Sequence, residues 1–235
     1  MMDQALLTRC ALGLDVAHLD PRPAGPALTT AAGAAWQRLV DRAARAGFEL
    51  TPASSWRDYA RQLNIFNGKA EGHRMVHDDL GAPLARGDHN DWQWVQRILR
   101  FSALPGTSRH HWGTDLDVYD RSALPDGYQL QLTPDEYAPG GVLAALNEWL
   151  DDLIAADDAE GFFRPYAVDS GGVAPEPWHL SYRPGAEGFA GLLSRESIWN
   201  GELPALWQVM PALAMSDVVM AHLAEIRVRY VVLAS

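Results

Sequence analysis

Apolar residues recur at helical spacing from residue 30 to 46, where Ala32, Trp36, Leu39, Val40 and Ala43 share one face. Thr29 or Thr30 opens this predicted helix and Gly47 stops it. Phe48 to Ser55 reads as a strand, with Pro52 marking an edge or a bend. A second helix carries Tyr59, Leu63 and Phe66 and is expected to close at Gly68; a polar insertion follows over residues 69–89. Asn90-Asp-Trp-Gln93 has the form of a capping box and predicts a helix through Ile98 and Leu99, ended by Pro105-Gly106. Beyond a Pro/Gly/Tyr-rich loop at 121–140, Val142, Leu146, Trp149 and Leu153 mark a further helix, and Phe162-Phe163 reads as a short strand. Two helical patterns close the chain, one near Phe189 to Leu193 and one from Ser216 to Tyr230, where Glu225 and Arg229 form an i,i+4 pair. Strands interspersed among helices predict an α+β fold in one domain, without repeats or an interdomain linker.

Two further stretches alternate with period two, and they carry the chemistry. In Asp115-Leu-Asp-Val-Tyr119, Leu116 and Val118 fall on one face of a predicted strand and both aspartates on the other. His110 lies seven residues before Asp117, so a straight strand would put the two on opposite faces; Gly113 permits the bend that brings them together. Near residue 179 the pattern repeats, with Trp178, Leu180 and Tyr182 apolar and His179 and Ser181 facing the other way. Pro175 and Pro177 hold Glu176 in an extended segment. His110, Asp117 and His179 supply two imidazoles and a carboxylate, a ligand set for one catalytic zinc per chain with a position left for water. Glu176 is placed to take a proton from that water, and Arg57 to meet a forming oxyanion.

A competing pair, His73 and His77, has i,i+4 spacing, but Arg74 stands where a zincin needs glutamate, and the surroundings read as loop. Cys10 is the only cysteine, which excludes an intrachain disulfide and a cysteine-built zinc site. A net charge of -11 argues against a nucleic-acid or anionic-membrane surface. No export signal and no spanning helix are legible, so a cytoplasmic location is the expectation.

At Ser108, His110, Gly113 and Asp117, at Glu176, Trp178 and His179, and at Ser55, Trp56, Arg57 and Gln62, the chain resembles the VanY/VanX-type D-alanyl-D-alanine peptidases. The resemblance covers about residues 28–184 and leaves a helical extension at about 185–235. It departs at Asp115, where the family has alanine, and this aspartate is expected to support a ligand histidine. The resemblance implies a small antiparallel sheet bearing the zinc, flanked by helices as in hedgehog and DD-peptidase domains. It further implies a short peptidoglycan-type peptide as substrate, cleaved before a terminal D-alanine, with Ser108 and Gln62 on the substrate side. A wall-lytic endopeptidase of the same family and a non-catalytic zinc-containing binding module are the alternatives. The extension is left open between packing on the core, covering the cleft and dimerising.

Overall fold

The computed structural model describes residues 3–231. Four short strands form one antiparallel sheet in the order β1-β2-β4-β3, with β1 at Leu50–Ser54, β2 at Asp115–Asp120, β3 at Phe162–Phe163 and β4 at His179–Tyr182. Helices α1 (Gln4–Ala11), α2 (Thr30–Ala46), α3 (Tyr59–Ala70), α4 (Asp91–Leu99), α5 (Pro134–Tyr137) and α6 (Ala144–Ala155) are threaded among them. After β4 come α7 (Arg183–Leu193), α8 (Leu203–Trp207), α9 (Ser216–Ala221) and α10 (Leu223–Ile226). This is the α+β arrangement that the alternation predicts.

The two faces of the sheet do different work. Leu50, Leu116, Val118, Phe162 and Leu180 join Trp36 and Leu39 of α2 and Leu146 and Leu150 of α6 in one apolar cluster. The period-two pattern therefore leaves Asp115, Asp117, His179 and Ser181 together on the opposite face, all buried. That face looks toward a second, larger cluster built from α1, α3, α4 and the chain after β4. A polar seam thus runs between two cores, where surrounding side chains exclude bulk water.

Several boundaries follow the local chemistry. Thr29 caps α2 by accepting from the Ala32 N–H, and Gly47 ends it at φ 93°. Asn90 and Gln93 make the reciprocal capping box of α4, which ends at Leu99, before Pro105-Gly106. α3 runs past Gly68 to Ala70: glycine lowers helix propensity by about 1 kcal/mol, too little to stop a helix held by buried Leu63, Phe66 and Ala70. Pro52 sits on edge strand β1, where the register slips between Pro52 and Ser54 and sets Ser54 opposite Asp117. Trp178 falls just before β4 and packs with Tyr137 and Leu143, away from the Leu180 side of the sheet. Residues 72–89 form mainly loop, as expected, and His77 and Pro83 make a lone bridge there.

Candidate metal centre

His110 does not lie on a strand. It belongs to a 3₁₀ turn, Arg109–Trp112, which Gly113 closes at φ 65° before β2 begins. That left-handed turn redirects the chain so that the His110 imidazole and the Asp117 carboxylate converge: Nε2 stands 3.3 Å from Asp117 Oδ2. β4 pairs with β2 so that His179 lies directly across from Asp117, with His179 Nδ1 3.5 Å from Asp117 Oδ1. One donor atom from each of the three residues lies within 4.8 Å of the others.

Each imidazole is oriented by its second nitrogen. His110 Nδ1 donates to the Ser55 carbonyl at 2.9 Å, so Nε2 presents its lone pair toward Asp117. His179 Nε2 meets Asp115 Oδ1 at 2.9 Å, which turns Nδ1 toward Asp117 and Glu176. Asp115 is completely buried and is itself held by Arg109 Nε at 2.8 Å and by the Thr114 hydroxyl. Arg109 also donates to Ser181 Oγ and lies 4.5 Å from the centre of the Trp112 ring. The aspartate standing where the resembled family has alanine therefore supplies a carboxylate–histidine support, of the kind that fixes metal-ligating imidazoles. Two imidazoles, each turning one ring nitrogen toward the cluster, and a carboxylate form a donor set that fits a tetrahedral divalent ion with one open position.

The electrostatics agree with that division. Burial opposes charge on Asp115, but Arg109 and the His179 and Thr114 hydrogen bonds prevail and hold its carboxyl at about 2. Asp117 is likewise kept below the usual carboxylate range, because His110, His179 and Arg57 outweigh its burial. His110 is driven down by burial and by the Arg57 charge, which favours the neutral, ligating form. In the metal-free protein burial lowers the His179 pKa, yet Asp115 and Glu176 overcome this and raise it to about 9. Glu176, 3.1 Å from His179 Nδ1, shifts opposite to the two aspartates: burial dominates and raises its carboxyl.

A cavity of about 70 Å³ opens at this cluster, with Arg57, Ser108, His110, Asp117, Glu176 and His179 in its wall. Arg57 is fixed at three points: Nη1 donates to Gln62 Oε1 at 3.0 Å, Nη2 to Ser54 Oγ at 3.3 Å, and Nη2 lies 3.8 Å from Asp117 Oδ2. Gln62, expected on the substrate side, does not line the cavity. It is wholly buried, and its amide is spent on Arg57 and on the Ala103 carbonyl, at 2.7 Å, so it holds the guanidinium in place. His111 points away from the cluster, its Nδ1 donating to the Arg57 carbonyl and its Nε2 accepting from Gly106. His73 lies beside Glu71 on the surface, and neither it nor His77 joins a metal-sized cluster among the described residues.

The sequence pattern did not single out Ser54, Arg109 or Tyr166. Ser54 donates to Asp117 Oδ2 at 2.7 Å. Tyr166 sets its ring edge-on to His179 at 5.2 Å and accepts the Glu176 N–H on its carbonyl. Arg109 was legible as the one cation inside the Ser108–Asp117 stretch; Tyr166 lies in a loop that carries no periodic signal.

Comparison with known proteins places these residues in a family. The model for VanY, D-alanyl-D-alanine carboxypeptidase, matches residues 26–185. The chain belongs to this family of peptidases. An uncharacterized protein of Haemophilus influenzae is 38% identical over 130 residues, spanning 55% of this chain and 93% of that protein. A second uncharacterized protein of the same organism is 52% identical over 77 residues, which cover 33% of this chain and 53% of that protein. Among solved structures, VanYB in complex with D-Alanine-D-Alanine is similar with a TM-score of 0.49 and 22% identity, covering 79% of this chain and 83% of that one. The LdcB LD-carboxypeptidase is similar with a TM-score of 0.49 and 21% identity, covering 86% of this chain and 77% of that one.

Proposed function

We propose that this protein is a zinc-dependent peptidase that hydrolyses the terminal peptide bond of D-alanine-ending, peptidoglycan-type peptides. Membership of the VanY family supports the reaction class. The observation that carries the reading is the buried His110–Asp117–His179 cluster with Glu176 in the same cavity wall. His110 Nε2, His179 Nδ1 and the Asp117 carboxylate would hold the ion. Zinc bound at such a set supplies Lewis acidity and lowers the pKa of water.

The chain's own groups then have separable tasks. Glu176, a carboxylate whose basicity burial increases, takes the proton of the attacking water and passes it to the leaving amine. Arg57, already immobilised by Gln62 and Ser54, offers a planar positive charge to the carbonyl oxygen as its negative charge grows. Ser108, buried in the cavity wall, is a hydroxyl available to the peptide. Tyr166 and Trp178 close the cavity with aromatic surface and keep the reacting groups in a low-dielectric setting.

Metal analysis by plasma emission, combined with mass spectrometry of digested peptides, tests the proposal. One zinc per chain and release of free D-alanine from a D-Ala-D-Ala-ending peptide are expected; a dipeptide and a pentapeptide distinguish dipeptidase from carboxypeptidase action. Cleavage confined to internal bonds of cross-linked wall would replace the exopeptidase reading with a lytic one. A zinc-loaded protein inert on the whole panel, including peptides ending in an L,D bond, would favour a binding module.

A further inference from the structure

Lys69 lies seven residues after Gln62 on α3, so both project from the same side of the helix. Gln62 reaches the Ala103 carbonyl and the Lys69 ammonium reaches Ser102 Oγ at 2.7 Å, while Ser102 and Ala103 both line the zinc-side cavity. One hydroxyl therefore separates this cation from the candidate active site. On its other side Lys69 borders a second cavity of about 140 Å³, together with Arg97, Val76 and Phe101. Among the described residues no carboxylate pairs with Lys69 or with Arg97. This stands out in a chain of net charge -11, where the inward-facing Arg100 and Arg109 each have an acidic partner. The cavity's other titratable groups are His77 and Asp78, and one Asp78 oxygen is taken up by the Leu80 and Ala82 N–H groups.

A half-buried ammonium without an ion-pair partner is costly: burial pushes its pKa down to about 8, and Glu176, the carboxylate whose charge acts on it, stands beyond ion-pair distance. Arg57 already faces Asp117 and is assigned to the oxyanion, so a carboxylate of the peptide calls for a separate cation. We propose that Lys69, with Ser102 and Arg97, forms a subsite that receives a carboxylate of the peptide substrate. The inference rests on the peptidase reading and adds to it what the enzyme recognises beyond the scissile bond. Two carboxylates on such a peptide have the required chemistry, the chain terminus and an acidic side chain.

Titration calorimetry on zinc-loaded Glu176→Gln protein separates them, using a peptide acid, its C-terminal amide and a version with the acidic side chain amidated. Loss of the recognised carboxylate is expected to weaken binding about tenfold or more, the range for a hydrogen bond to a charged group. Lys69→Met should weaken binding of the acid by the same factor and leave unchanged the binding of the amide that lacks the recognised carboxylate, with Lys69→Arg partly restoring the difference. Undiminished discrimination in a folded Lys69→Met protein overturns the subsite. Acetate titrated against the side-chain nitrogen signal of labelled Lys69 reads the site without any peptide. A shift there in a protein that binds no peptide would sustain the anion site and sink the peptidase reading. Absence of a shift alongside normal peptide cleavage would do the reverse.

Discussion

At the scale of single residues, two buried carboxylates near the same imidazole are assigned different work by their surroundings. Glu176 has a raised pKa and, among the described residues, no arginine within ion-pair distance, whereas Asp115 is pinned by Arg109 and Thr114 and kept at about 2. Glu176→Gln should therefore keep fold and zinc while turnover falls by about 10²–10⁴, the usual cost of removing a general base. Near-normal turnover in that variant would assign proton transfer elsewhere. Asp115→Asn keeps the side-chain volume but weakens the anchor of His179 Nε2. Zinc affinity should drop about 10–100-fold, as for other partners of metal-ligating histidines, measured by competition with a chromogenic chelator. Asp117→Asn should lose most of the metal. If the Asp115 variant emptied the site while the Asp117 variant stayed loaded, the two aspartates would have to exchange roles.

At the scale of elements, the turn between Ser108 and β2 brings the first histidine to the sheet. Gly113 sits at φ 65°, and a Cβ there would come within 2.5 Å of Leu19 Cδ2 and 3.3 Å of the Thr29 nitrogen. Gly113→Ala combines backbone strain with that clash, so a loss of about 2 kcal/mol or more and weaker zinc binding are expected in thermal melts and metal titration. An unchanged melt would show that the turn relaxes freely. His111 secures the same turn as a neutral ring: burial first, then the Arg57 and His110 charges, depress its pKa to about 3, against the hydrogen bond to the Arg57 carbonyl. The unfolded chain binds a proton near pH 6.5 that the folded chain refuses, so this stabilisation is complete above about 6.5 and lost as pH falls toward 3. It amounts to about 2 kcal/mol lost by pH 5. His111→Gln should be less stable at pH 7.5 yet show a shallower fall in melting temperature between pH 7 and 5; parallel curves would remove His111 from the account. The bend at Gly113 and the faces of β2 and β4 were legible because glycine and period-two alternation are local signals. The short α5 was not, since the 121–140 stretch shows turn residues and no period, and its capping box at Thr133 and Glu136 spans a single turn. Gln62 was misplaced for another reason: sequence spacing cannot tell a side chain that touches a ligand from one that holds its neighbour.

At the scale of the whole molecule, the segment beyond β4 belongs to the larger core. Trp199, Leu203, Trp207, Val219, Ile226 and Tyr230 are buried in one cluster with Leu63, Phe66, Trp94, Ile98, Leu104 and Trp112. Polar contacts tie it down as well: Asn67 of α3 bonds both the Ala212 carbonyl and the Ala214 N–H, and Trp207 Nε1 donates to the Pro105 carbonyl at 3.0 Å. α1, absent from the sequence reading because its eight residues offer little periodic signal, enters the same cluster through Cys10 and Ala11. The helices backed by this cluster are α3, whose N-terminal end holds Gln62 behind Arg57, and α4, whose Leu99 lines the cavity. Support for the site therefore extends far outside the stretch that the family model matches. Trp207→Ala should cost about 3–5 kcal/mol, a large share of the 5–15 kcal/mol typical of a folded domain, and lower the melting temperature steeply. Zinc content per folded molecule should stay near wild type at low temperature, because no ligand is touched. A chain ended after Ser194 should fail to fold cooperatively, since it removes Trp199, Leu203, Trp207, Val219 and Ile226 from the larger core at once. Were that shortened chain to melt in one transition and retain stoichiometric zinc, the terminal helices would be an appendage, and the sheet with α2 and α6 would suffice to hold the metal centre.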